Sequence, residues 1–125
     1  MKQEEHVLGD LILRTVSTPE AITVHWLGKS DSSTPEANIV PILLAAADAA
    51  QGSSLPLTFA FEKLDYFNSA TITVLIRTIR SMRGRKVALT LRYDDLQRWQ
   101  RTFFDAFTGV GLCESDDVRV EAVRR

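Results

Sequence analysis

The chain has 125 residues, 45% of them hydrophobic and 25% charged, with a formal net charge of −1. That is long and apolar enough for one domain, residues 1–125, around a single buried core, and too apolar for a disordered segment. The near-zero charge excludes a global pull toward nucleic acid or an anionic membrane, so any partner must be recognised locally.

The opening "MKQEEHVLGD" lacks the apolar core of a signal peptide, so it reads as a loose N-terminus that includes His6, and a cytoplasmic setting is expected. "LILRTVS" (11–17) and "AITVHWLG" (21–28) have strand length and β-branched content, and "STPE" between them has turn chemistry. They predict an antiparallel hairpin. "KSDSSTPEAN" (29–38) reads as a polar loop whose Asn38 caps a helix from about Ile39 to Gln51. Pro41 then falls in the first turn, where a missing N–H costs little. The run "IVPILLAAADAA" in that helix is broken by Pro41 and Asp48 and is too short to span a bilayer, so no membrane segment is expected.

"LTFAFEKL" (57–64) alternates Leu57, Phe59 and Phe61 with the smaller Thr58 and Ala60, as a strand packed on at least one face does. Behind Ser69, the spacing of Ile72, Leu75, Ile76 and Ile79 predicts a helix with one buried stripe, closed by Gly84. "KVALTLRY" (86–93) reads as a further core strand, and "YDD" as a helix start. "LQRWQRTFFDAF" (96–107) places Leu96, Trp99, Phe103 and Phe107 on one helical face, and "VRVEAV" (118–123) alternates like a last strand. Helices of this length between strands imply parallel crossovers, so the expected class is α/β, a mixed sheet flanked by helices with an antiparallel start.

Residues capable of catalysis are scattered. His6 and His25 lie in different elements without Cys or carboxylate partners at ligand spacing, which predicts no metal site. Cys113, the one cysteine, has no Lys, Arg or His beside it to lower its pKa. "GVG" (109–111) follows a helix instead of a strand and lacks a Walker lysine. The pairs Asp94-Asp95 and Asp116-Asp117 sit at element boundaries, where caps and turns use Asp. No catalytic residue and no cofactor is predicted.

Two features remain. Arg77, Arg80, Arg83, Arg85 and Lys86 form a basic series on and past the helix behind Ser69, suited to its C-terminal dipole. No aromatics are interleaved with them, as nucleic-acid binding would favour. The other is the junction Asn68-Ser69, where a strand ends and a helix begins. Asn68 or Ser69 caps that helix, a contribution of about 1 kcal/mol. A phosphate on a hydroxyl there would meet the positive end of the helix.

The segment "LTFAFEKLDYFNSATITVLIRTIRSMRGRKVALTLRYDD" resembles the STAS domain of bacterial anti-sigma factor antagonists, most clearly from about Leu55 to Asp95. In that family the corresponding strand ends in an Asp/Asn-Ser/Thr-Ser/Thr-Gly turn. Asn68 matches the first position and Ser69 the first hydroxyl. Ala70 stands at the second hydroxyl, the usual phosphoacceptor, and Thr71 at the glycine. "DYFNSA" is closer to the SiaC-like branch, which uses the hydroxyl directly after Asn. The resemblance implies a non-enzymatic switch protein, phosphorylated at Ser69 by a serine/threonine kinase of the anti-sigma type and dephosphorylated by a PP2C-like phosphatase. Asn68, Ala70, Thr71 and Arg77 would then belong to the switch turn and partner surface. A constitutive interaction module of the same fold, never phosphorylated, is the alternative.

Overall fold

In a computed structural model that describes residues 2–82, 84–109 and 118–123, six strands lie side by side in chain order. They are β1 (Lys2–Leu8), β2 (Leu11–Ser17), β3 (Ile22–Ser30), β4 (Leu57–Phe67), β5 (Leu89–Asp94) and β6 (Val118–Val123). The helices are α1 (Pro35–Asn38), α2 (Val40–Ser53), α3 (Ser69–Met82) and α4 (Arg98–Gly109). β1, β2 and β3 pair antiparallel in succession, and β3 to β6 pair parallel. The sheet is therefore mixed, with the antiparallel start expected from the sequence.

The unbroken strand order decides where the core sits. Crossovers between parallel strands are right-handed, so a sheet that never reverses direction receives every crossover helix on the same face. Accordingly Leu13, Trp26, Phe59, Phe61 and Leu91 share one core with Leu43, Leu75, Ile79 and Phe104 from the helices. The intervening residues Arg14, His25, Glu62 and Arg92 line the other face, which is half-exposed. Aromatic contacts join sheet and helix: Phe61 lies 5.0 Å from Trp26 and 5.3 Å from Phe104, centroid to centroid, and Tyr93 stacks on Phe104 at 4.8 Å.

Four local expectations need correction. The polar start forms β1 instead of a loose segment, and His6 is a strand residue paired with Leu13. An edge strand needs little apolar alternation because it is held by backbone pairing, and its charges discourage pairing with another chain. Gly9, at φ 66°, supplies the positive-φ residue of the two-residue turn into β2. Asn38 does not cap α2; it closes α1, and Ile39, 1% exposed, carries the chain into α2 with no side-chain cap. Pro41 does lie in the first turn of α2.

β5 begins at Leu89 and not at Lys86, because Lys86 takes a left-handed φ of 55° in the turn after α3. Lastly, α4 starts at Arg98, leaving Leu96 69% exposed. Its inward side is built on Gln100 and Phe104, both fully buried, with Trp99 and Phe103 half-buried beside them. The side chain of Phe107, together with Arg83, Val110, Gly111, Cys113 and Asp116-Asp117, lies outside what the structure describes.

The buried glutamine has a clear cause. β4 pairs with β5 only from Leu57 to Ala60, yet it continues to Phe67, so its later carbonyls have no partner strand on that side. Gln100 supplies one: its Nε2 donates to Phe61 O at 2.7 Å and Leu64 O at 2.9 Å, while its Oε1 accepts from Asp94 N–H at 2.8 Å. Gln97 Nε2 likewise donates to Glu62 O at 2.9 Å. Buried backbone groups left unpaired would each cost about 1–3 kcal/mol.

On α3, Leu75 and Ile79 are buried as the spacing predicts, whereas Ile72 and Ile76 flank the contact and Thr71, Val74, Thr78 and Met82 complete it. Leu75→Ala should destabilise the protein by roughly 2–5 kcal/mol in urea unfolding. A change within about 0.5 kcal/mol would show that this face does not carry the core.

Candidate functional site

The junction between β4 and α3 is held by a hydrogen-bond network that reaches back to the end of β3. Asn68 N–H donates to Ser30 O at 2.9 Å, extending the β3–β4 pairing by one residue beyond Phe67. The Asn68 side chain then works at both ends. Its Oδ1 accepts from Thr71 N–H at 2.9 Å and from the Thr71 hydroxyl at 2.7 Å, and its Nδ2 donates to Ser32 O at 2.9 Å. With the Thr71 proton committed to Asn68, the Ser30 hydroxyl donates to Thr71 Oγ1 across 2.7 Å. Ser30 and Thr71 are each 1% exposed.

Asn68 is therefore the helix cap, in the position where an acceptor oxygen satisfies the N–H two or three residues into the helix. The amide matters as well as the oxygen. An aspartate at 68 would keep the two acceptor contacts but would turn a second oxygen toward Ser32 O, where Nδ2 now donates. Ser30 and Ser32 were not legible as site residues, because periodicity reads "KSDSS" only as a polar loop. Among the residues of this network, Asn68 stood out by its place at a strand-helix junction and Thr71 by its place in the turn that resembles the STAS one.

The network also decides which hydroxyl faces outward. Residues advance about 100° per step around a helix, so Ser69 and Thr71 are about 200° apart. Burying Thr71 turns Ser69 outward, and Ser69 is exposed; its hydroxyl makes no hydrogen bond among the described residues. Thr73, also exposed, returns its hydroxyl to Ser69 O at 3.0 Å. The first turn of α3 contains no acidic side chain, so its positive end is not neutralised from within.

Ala70, between the two hydroxyls, lines a cleft of about 470 Å3 with Thr73 and Val74 on one side and Ser33 to Ala37 on the other. Arg77 lies two turns along α3, where Nη1 donates to Glu36 Oε1 of α1 at 2.7 Å. Both partners are about two-thirds exposed, so the pair orients the cleft wall and adds little stability. Arg85 pairs with Asp48 of α2. Of the five predicted site residues, Ser69 and Ala70 lie at the centre of one surface and Arg77 at its far end, whereas Asn68 lies beneath it and Thr71, expected on that surface, is buried because its hydroxyl bonds Ser30 and Asn68.

Elsewhere the predicted residues serve structure. Asp94 ends β5, and its Oδ1 accepts Leu96 N–H at 2.9 Å, a turn role. His25 is a half-buried strand residue beside Trp26. Among the described residues no group of three His, Cys, Asp or Glu could hold a metal ion, and no helix is long and apolar enough to cross a membrane. Compared with protein-family models and with curated proteins, the chain matches none.

These roles separate by mutation. Asn68→Ala should cost about 1–2 kcal/mol as a lost cap. Thr71→Val, which strands the Ser30 hydroxyl and one Asn68 contact, should cost about 1–3 kcal/mol. Ser69→Ala should stay within about 0.5 kcal/mol of wild type, since its hydroxyl holds nothing. Denaturant melts of the three variants measure this order, and a loss at Ser69 equal to that at Thr71 would contradict it.

Proposed function

We propose that the protein is a non-enzymatic bacterial signalling regulator, acting in the cytoplasm by switching partners as the STAS-type anti-sigma factor antagonists do, with Ser69 as the residue that is phosphorylated. The observation that supports this most is the contrast between the two hydroxyls of the turn. Thr71 is buried and bonded on both sides, Ala70 has no hydroxyl, and Ser69 stands exposed at the first position of α3 with no hydrogen bond to its hydroxyl among the described residues. A kinase working on this turn has one hydroxyl to reach.

The chemistry of the switch follows from two electrostatic environments. A phosphate on Ser69 adds about −1.5 to −2 charges beside the free N–H groups of a helix start, where negative charge is tolerated or mildly stabilising. The same charge covered by a partner must be stripped of water without a fixed counter-charge, which costs several kcal/mol. The unmodified surface, formed by Ser69, the Ala70 cleft and Thr73 with Arg77 beyond, binds the kinase or anti-sigma-type partner. The phosphorylated one lets it go, and a PP2C-like phosphatase restores binding.

A second reading keeps the docking surface and drops the covalent change. It is favoured by Ala70 at the usual acceptor position and by the bonds of Asn68 to Thr71 and Ser32, which fix the turn through its own side chains. Incubation with ATP and a serine/threonine kinase of the anti-sigma type, followed by mass spectrometry, separates the two. The switch predicts asymmetry in calorimetric titration against the partner: Ser69→Ala retains binding, Ser69→Glu loses at least about tenfold in affinity, and both melt close to wild type. Equal binding by wild type and Ser69→Glu would leave the constitutive module.

A further inference from the structure

A second convergence of polar side chains lies on the open face of the sheet, away from the helices, and does not depend on the Ser69 reading. Backbone register places Glu5, Arg14, His25, Ala60, Arg92 and Glu121 in one row from β1 to β6. At the middle of the row Ala60 presents only a methyl group. The surface sinks there into a depression of about 420 Å3 bordered by Arg14, His25, Glu62 and Lys63, with Val16 and Leu27 as apolar shoulders.

The charges around this depression do not cancel. Its one bordering carboxylate, Glu62, is taken by Nε of Arg92. Among the described residues Arg14 is held through Nε alone, by Glu5 Oε2 at 3.0 Å, which leaves its terminal nitrogens for a second acceptor. Lys63 forms no ion pair among the described residues. The depression itself is thus bordered by two cations, Arg14 and Lys63, and by one carboxylate, Glu62, which Arg92 holds. His25 sits among them with its pKa lowered from 6.5, first by burial and then by Arg92, Arg14 and Lys63, against the opposing pull of Glu62. At neutral pH its imidazole is uncharged and offers one N–H.

We propose that this depression binds the oxyanion of a small molecule, a carboxylate or a phosphate, through Arg14, Lys63 and His25, with the ligand's apolar part resting on Val16 and Leu27. A guanidinium with free terminal nitrogens and an unpaired ammonium are the donors such an anion requires.

The two histidines of the chain make the test internal. His6 borders the separate groove beside Pro41 and Ile42, so it serves as the reference. An anion seated against His25 stabilises its protonated form and must raise its pKa. Both imidazoles are titrated by NMR in inorganic phosphate, in acetate and in chloride at matched ionic strength. His25 should shift saturably with phosphate, acetate or both, His6 should not follow, and Lys63→Gln and Arg14→Gln should each weaken the response about tenfold or more. Saturation by phosphate alone or acetate alone identifies which oxyanion geometry fits. Movement of the two histidines together with ionic strength, or saturation unchanged in both variants, would overturn the proposal.

Discussion

The hydroxyl-to-hydroxyl contact between Ser30 and Thr71 is the constraint on which the candidate site depends. It joins residues 41 apart in the chain and lies out of water. A polar pair in that position is costly unless every member is satisfied. Asn68 satisfies it, accepting from Thr71 and tying its own amide to Ser32. The end of β3, the end of β4 and the first turn of α3 consequently form one unit. The rotation of α3 about its axis that turns Thr71 inward is the one that buries Val74, Leu75, Thr78 and Ile79. The outward position of Ser69 and the cleft beside Ala70 both follow from that rotation.

The larger frame makes this local arrangement possible. Because the strand order never reverses, the helices share one face of the sheet, and the carboxyl ends of β3, β4 and β5 meet the starts of α1, α3 and α4 along one edge. The other face is left to a row of charged side chains and one histidine. One sheet thereby carries two chemically different surfaces, an edge with an exposed hydroxyl at a helix start and an open face with a depression bordered by Arg14 and Lys63. β4 contributes to both, through Ala60 and Glu62 on the face and through Asn68 just beyond its end.

Much of this frame was legible in the sequence, and the unread parts have physical causes. Strands β2 to β6 and the three long helices left apolar periodicities that sequence spacing detects, as did the burial of Leu75 and Ile79. β1 did not, because an edge strand is held by its backbone and its side chains are free to be charged. The face of α4 was misjudged for the opposite reason: a glutamine occupies its centre, and apolar counting skips a polar residue whose purpose is to bond the unpaired carbonyls of β4. At the site, Asn68 and Ser69 stood out by their place at a strand-helix junction. Ser30, 38 positions before Asn68, left no trace in the spacing, since its partnership exists only once β3 and β4 are side by side.

A thermodynamic double-mutant cycle on Ser30 and Thr71 tests the central claim, that one buried contact ties the turn of Ser69 to the strand behind it. Unfolding free energies of wild type, Ser30→Ala, Thr71→Val and the double variant give the coupling. The structure predicts a coupling of about 1 kcal/mol or more, as expected for groups in one buried network. Losses that simply add, within about 0.3 kcal/mol, would mean that the two hydroxyls act independently and that something else sets the turn.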